Sequence, residues 1–215
     1  ENRAALLETV GWGDVPDQDI LRICSALTGQ NPAKIDVDEL AKSLRDQPDL
    51  IYRSFQATAH SASLLRDACG IHGPEALPYS WQLIVLAVWQ AKNMTSLSPQ
   101  NNKDAIQKWF WLTTYGEVFG GVNSAIYQRS AESLADMVEG KSWAKMERDV
   151  TRQVRQVTRF DFRAARSKAI ALTMARQFDQ GDCNGAAHKA LIAGTTALAL
   201  LDTKGKRSNW WDLTV

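Results

Sequence analysis

The sequence predicts an all-α, irregular multi-helix domain organised around one central, buried, apolar helix. Three observations predict it. Apolar residues recur at spacings of three and four along most of the chain, as they do on helices with one buried stripe. No Asn-Gly turn joins two segments of alternating polarity, so little sheet is expected. Residues 80–91, SWQLIVLAVWQA, are apolar on nearly every face, which suits a helix enclosed from all sides.

Each element has its own signals. Ile20, Cys24 and Leu27 fall at i, i+4 and i+7, with Pro16-Asp17 opening that helix and Gly29 closing it. Asp36, followed three residues later by Glu39, resembles a capping box ahead of Leu40 and Leu44. Ile51, Phe55, Thr58, Ala62, Leu65 and Cys69 then form one stripe, a helix of roughly six turns ended by Gly70. The polar ends of the 80–91 segment, Gln82 and Gln90, and its length favour a helix over a buried strand. Ser98-Pro99 starts the next helix, with serine as cap and proline in the first turn. It leads into Trp109-Phe110-Trp111 and breaks at Gly116 and Gly120-Gly121. Tyr127, Ala131, Leu134 and Val138 make a further stripe, stopped by Gly140. Helical patterns also cover roughly 143–178 and 185–201. Ordinary helix lengths give about eight to ten helices. The helices at 80–91 and 99–115 form the expected centre, with Trp81, Leu83, Leu86, Trp109 and Trp111 as core.

Composition narrows the class. Apolar residues make up 45 % and charged residues 23 %, ordinary for a globular chain, and eight tryptophans supply bulky core material. The longest apolar runs, Leu83–Trp89 and Ala197–Leu201, fall far short of the ~20 residues of a spanning helix. Glu1-Asn2-Arg3 precede no apolar signal region. Three scattered cysteines without a CxxC pair point to reduced thiols and a cytoplasmic setting. The chain opens on Glu1 and closes on Leu213-Thr214-Val215 after Trp210 and Trp211, an apolar end unusual for an exposed terminus. One domain over 1–215, cut from a larger protein and with a sub-boundary near 140–145, is therefore expected.

Charge is distributed unevenly. Residues 141–176 hold ten Lys/Arg against three Asp/Glu, a net +7, and the remainder holds 15 basic against 21 acidic residues, a net −6. Within that basic stretch Arg148, Arg152, Arg155, Arg159, Arg163 and Arg166 are spaced 4, 3, 4, 4 and 3. On one helix all six share a face, with Val150, Val154 and Val157 on another. Guanidinium groups at successive turns could contact successive phosphates, with binding that weakens as salt rises. The alternative is a solvated face paired with the acidic remainder. Phe160-Asp161-Phe162 could also split the stripe.

No catalytic set emerges. His60, His72 and His188 neighbour no nucleophile signature and read as surface or capping histidines. Cys183 and His188 lack a second pair, so no metal is assigned. Residues 135–142, ADMVEGKS, nearly spell a phosphate loop but lack its first glycine and follow a helix, not a strand. Asp136, Glu139 and Lys141 resemble a nuclease triplet, yet again sit at a helix end. Trp109-Phe110-Trp111 could stack bases, but adjacent aromatics on a helix point apart and cannot form one platform. No cofactor is expected.

Three blocks do resemble a family. They are Leu77-Pro78-Tyr79 followed by Gln82-Leu83-Ile84-Val85-Leu86-Ala87, then Lys108-Trp109-Phe110-Trp111-Leu112, then the Tyr115–Gly121 turn. Together they look like the helical region of bacterial GmrSD-type restriction proteins, over residues 75–200. Such proteins carry an N-terminal ParB-like nucleotide-binding domain, and many end in an HNH-type nuclease. The Asp-Gly-Gln-Gln-Arg signature and the paired-histidine motif of those domains are absent here, so neither activity transfers to any residue. The resemblance implies a helical module of a phage-defence protein that positions or contacts DNA, in a parent that is a nuclease or NTPase. The architectural alternative is a module holding neighbouring domains or another subunit.

Overall fold

A computed structural model describes residues 2–93, 99–141 and 164–179. It is all-α: eight α-helices and one 3-10 turn, with no strand among the described residues. The helices are α1 (Asn2–Glu8), α2 (Asp17–Leu27), α3 (Val37–Asp46), α4 (Leu50–Cys69), α5 (Ser80–Asn93), α6 (Pro99–Tyr115), α7 (Ser124–Val138) and α8 (Ala165–Asp179), with the 3-10 turn at Pro74–Ala76. No described helix is long and apolar enough to cross a membrane.

Several expected helix ends appear where local chemistry demands them, while Ser98 and the 185–201 pattern lie outside the described residues. Pro16 precedes α2 in an extended conformation, and Gly29 follows it at φ +90°. The Asp36 carboxylate accepts from the N–H groups of Asp38 and Glu39, both at 3.1 Å, satisfying two donors that the first turn of α3 leaves open. Gly70 ends α4 at φ 72°, and its N–H donates to the Arg66 carbonyl. A side chain in that left-handed conformation is strained. Gly70→Ala is expected to cost about 1–2 kcal/mol, seen as a lower urea midpoint at unchanged slope. An unshifted midpoint would mean that this helix end relaxes freely.

α5 is the axis. Gln82 through Trp89 are all buried, eight consecutive residues. An uninterrupted run of that kind needs neighbours on every side, and α5 packs on α2, α4 and α7. α6 packs on α4, α7 and α8, and α1 packs on α4. Each Leu, Ile or Val enclosed here contributes about 1.5–3 kcal/mol. α4 turns small residues inward, among them Ser54, Ala57, Ser61 and Ala62, which lets neighbouring backbones approach. Two of its buried hydroxyls are answered within the helix, Ser54 donating to the Leu50 carbonyl and Thr58 to that of Ser54, whereas the buried Ser61 hydroxyl has no hydrogen-bond partner among the described residues.

Three expectations about the core need correction. Ile51 is 47 % exposed, because in the first turn of α4 the inward position belongs to fully buried Leu50. Trp81 and Trp111 are only partly buried, whereas Leu83, Leu86 and Trp109 are enclosed. Trp81 sits in the first turn of α5, beside Arg22 and Tyr127. Trp111 follows two buried aromatics, Trp109 and Phe110, and a 100° step per residue carries it to the rim. Leu7, Trp12 and Val15, around the turn after α1, add to the core a part that no periodicity announced.

Candidate functional site

Five of the six stripe arginines, Arg148, Arg152, Arg155, Arg159 and Arg163, lie outside the described residues, as does His188. Arg166 is described, and its Nε lies 2.6 Å from Glu117 Oε1. The two side chains are 19 % and 37 % exposed, so the pair is half-immersed at the surface. An ion pair in such a setting contributes about 1 kcal/mol or less.

The turns that position this pair are specific. After α6 the chain reverses through residues 116–121, and Glu117 adopts φ +51°, the one left-handed non-glycine among the described residues. Three polar links seat α8 beside that turn. They are Arg166 with Glu117, Lys168 Nζ donating to the Leu77 carbonyl at 2.9 Å, and the hydroxyls of Tyr115 and Thr173 at 2.8 Å. Between them Ser167, Ala169 and Leu172 are buried. The first turn of α8 holds two cations and no acid, opposite to what the helix dipole favours. The Glu117 carboxylate offsets that imbalance from outside the helix. Burial holds the Lys168 ammonium below its ordinary pKa, against the opposing pull of Glu75. Burial first, then the charge of Glu117, pushes the Tyr79 phenol up, while Arg166 pulls it down.

A second polar seam joins α2, α5 and α7. The buried Asp19 carboxylate lies 3.0 Å from Arg22. Burial raises its pKa, while the charge and hydrogen bond of Arg22 and a hydrogen bond with Ser80 oppose the rise. The Arg22 guanidinium stands 5.0 Å from the Trp81 ring centre, and Trp81 lies 6.1 Å from Tyr127, whose phenol burial pushes up to about 12. These groups fix one helix against the next. They contain no nucleophile with an adjacent base. Cys24 Sγ lies 3.1 Å from Ser54 Oγ, and burial raises the thiol pKa, which disfavours the reactive thiolate.

The other sequence candidates resolve into local structure. α7 ends at Val138 and Gly140 follows at φ +74°. The N–H groups of Gly140 and Lys141 donate to the carbonyls of Met137 and Asp136, at 3.1 and 2.7 Å. They are turned back onto the helix instead of outward around a phosphate. The Lys141 ammonium pairs with Glu139. His60 is exposed on α4. No group of three or more His, Cys, Asp or Glu that could hold a metal occurs among the described residues. Trp109 and Phe110 are core side chains, while Trp111 stacks on Tyr115 at 5.7 Å.

Sequence reasoning missed the seat of α8. Glu117 and Arg166 stand 49 positions apart, and neither belongs to an apolar pattern that would have paired them. No protein-family model matches this chain, and no curated protein or solved structure does so either.

Proposed function

We propose that this chain is a non-catalytic helical module that presents an arginine-rich segment to DNA, as part of a larger restriction or phage-defence protein of the bacterial cytoplasm. The observation that carries the reading is the recurrence of Arg148, Arg152, Arg155, Arg159, Arg163 and Arg166 at helical spacing within a stretch of net charge +7. Two further features support it. Arg166 and Lys168, at the C-terminal end of the basic stretch, tie the first turn of α8 to Glu117 and to the Leu77 carbonyl. The three cysteines are scattered along the sequence without a CxxC pair, which agrees with a reducing compartment. The restriction context rests on the resemblance of the Leu77-Pro78-Tyr79 and Trp109-Phe110-Trp111 blocks to the GmrSD-type helical region.

The test is a titration of the whole chain with a duplex oligonucleotide at several salt concentrations. Binding should weaken linearly on a logarithmic plot, with a slope of about −0.9 per phosphate neutralised. Arg155→Glu combined with Arg159→Glu should reduce that slope by about two and weaken binding at least tenfold. Salt-independent binding, or none, would remove DNA from the account.

A second reading, a purely architectural module, is favoured by the Arg166–Glu117 pair itself, in which a basic side chain is matched by an acid of the same chain. On that reading no DNA signal appears, and the same two substitutions disturb stability or assembly with a neighbouring domain.

A further inference from the structure

We infer that α3 is a detachable arm: it lifts off the core and returns as one unit, between fixed points at Pro32 and Leu50, while the helices around it stay folded. Leu40 is its one buried residue, against ten in α4 and eight in α5. Ser43 and Leu44 are half-buried, and every other position from Asp36 to Asp49 is exposed. Val37, on the flank of that narrow stripe, is 72 % exposed. Among the described residues no hydrogen bond or ion pair joins a side chain of α3 to another element. Apolar contact through Leu40 and Leu44 is what holds the helix down.

The two ends of the segment are anchored independently of it. Before α3, Pro32 is buried and the Asn31 side-chain amide donates to the Ser124 hydroxyl at the start of α7. After α3, Leu50 is fully buried. Arg53 on α4 holds the connecting turn, with Nε 2.7 Å from Asp49 and a second nitrogen donating to the Gln47 side chain at 2.9 Å. Release of the segment between these points therefore pulls on neither α2 nor α4. The Asp36 cap, Asp38 and Glu39 in the first turn and Arg45 in the last favour the helix from within. A ten-residue helix is still too short to persist alone in water, so its order depends on docking. Segments with few buried apolar groups open at less cost than the whole molecule. When α3 opens, Leu40 leaves the core cluster and uncovers the apolar surface beneath it, so the helix acts as a lid.

Hydrogen exchange of the full chain, followed amide by amide by NMR at urea concentrations below the unfolding transition, tests this. After correction for intrinsic rates, the amides of Ala41 to Asp46 should exchange at least about tenfold faster than those of Leu83 to Val88. They should share one opening constant, with little dependence on urea, because a local opening exposes little surface. A smaller difference, with the urea slope of α5, would mean that α3 leaves only when the whole fold does. Opening constants graded inward from one end would mean fraying of single turns. Either result overturns the inference. Leu40→Ala should speed exchange in α3 about tenfold or more, while α2, α4 and α5 stay protected. Unchanged exchange in α3, or loss of protection in those three helices, would overturn it equally.

Discussion

Trp109→Ala should be the most damaging single change in the described core, lowering stability by about 3–5 kcal/mol. The indole is fully buried on α6. Its N–H donates to the Ser130 carbonyl on α7 at 3.1 Å, and its ring meets Phe119 edge-on at 6.1 Å. The substitution therefore empties a volume shared by two helices and the turn after α6. It also leaves a buried carbonyl without that donor. Small domains are stable by only about 5–15 kcal/mol, so a large part of the margin would go. Urea unfolding followed by circular dichroism measures it. Trp109→Phe keeps most of the volume and should cost about 1–2 kcal/mol, reporting the lost indole hydrogen bond. An alanine variant within 1 kcal/mol of the parent would mean that α6 and α7 do not meet through this ring.

Gln82→Ala should come next, at about 2–4 kcal/mol. Gln82 is the polar residue in the buried run of α5. Its Nε2 lies 2.9 Å from the hydroxyls of both Thr113 and Thr114 and 3.1 Å from the Phe110 carbonyl, all on α6. Both threonine hydroxyls donate to that same carbonyl, so their lone pairs face the amide. Removing the amide strips those hydroxyls of their donor and opens a cavity between the two central helices. Gln82→Met, similar in volume, should recover the cavity part and leave the hydrogen-bond part. Equal losses for the alanine and methionine variants would show that volume contributes nothing here.

The elements of the fold were legible because their signals are local. Asp36 and Gly70 act on backbone groups within a few residues, and α5 announces its burial by a run with no polar face. What escaped depends on partners distant in the chain. Whether Leu50 or Ile51 turns inward depends on where α4 meets its neighbours, which spacing alone does not fix. Gln82 stood out as polar, but the partners of its Nε2 are 28 to 32 residues away. The basic stretch was plain from composition, and five of its six spaced arginines lie outside the described residues. The Glu117–Arg166 contact depends on how the turn after α6 brings a carboxylate to the start of α8, a meeting that no periodic pattern encodes.

The two buried thiols have a practical consequence. Cys24 and Cys69 have no solvent exposure, one on α2 facing α4 and the other in the last turn of α4. An alkylating reagent reaches either sulfur only when the surrounding helices part. Their rates of labelling thus act as two clocks within one molecule, each timing how often its stretch of the interior opens.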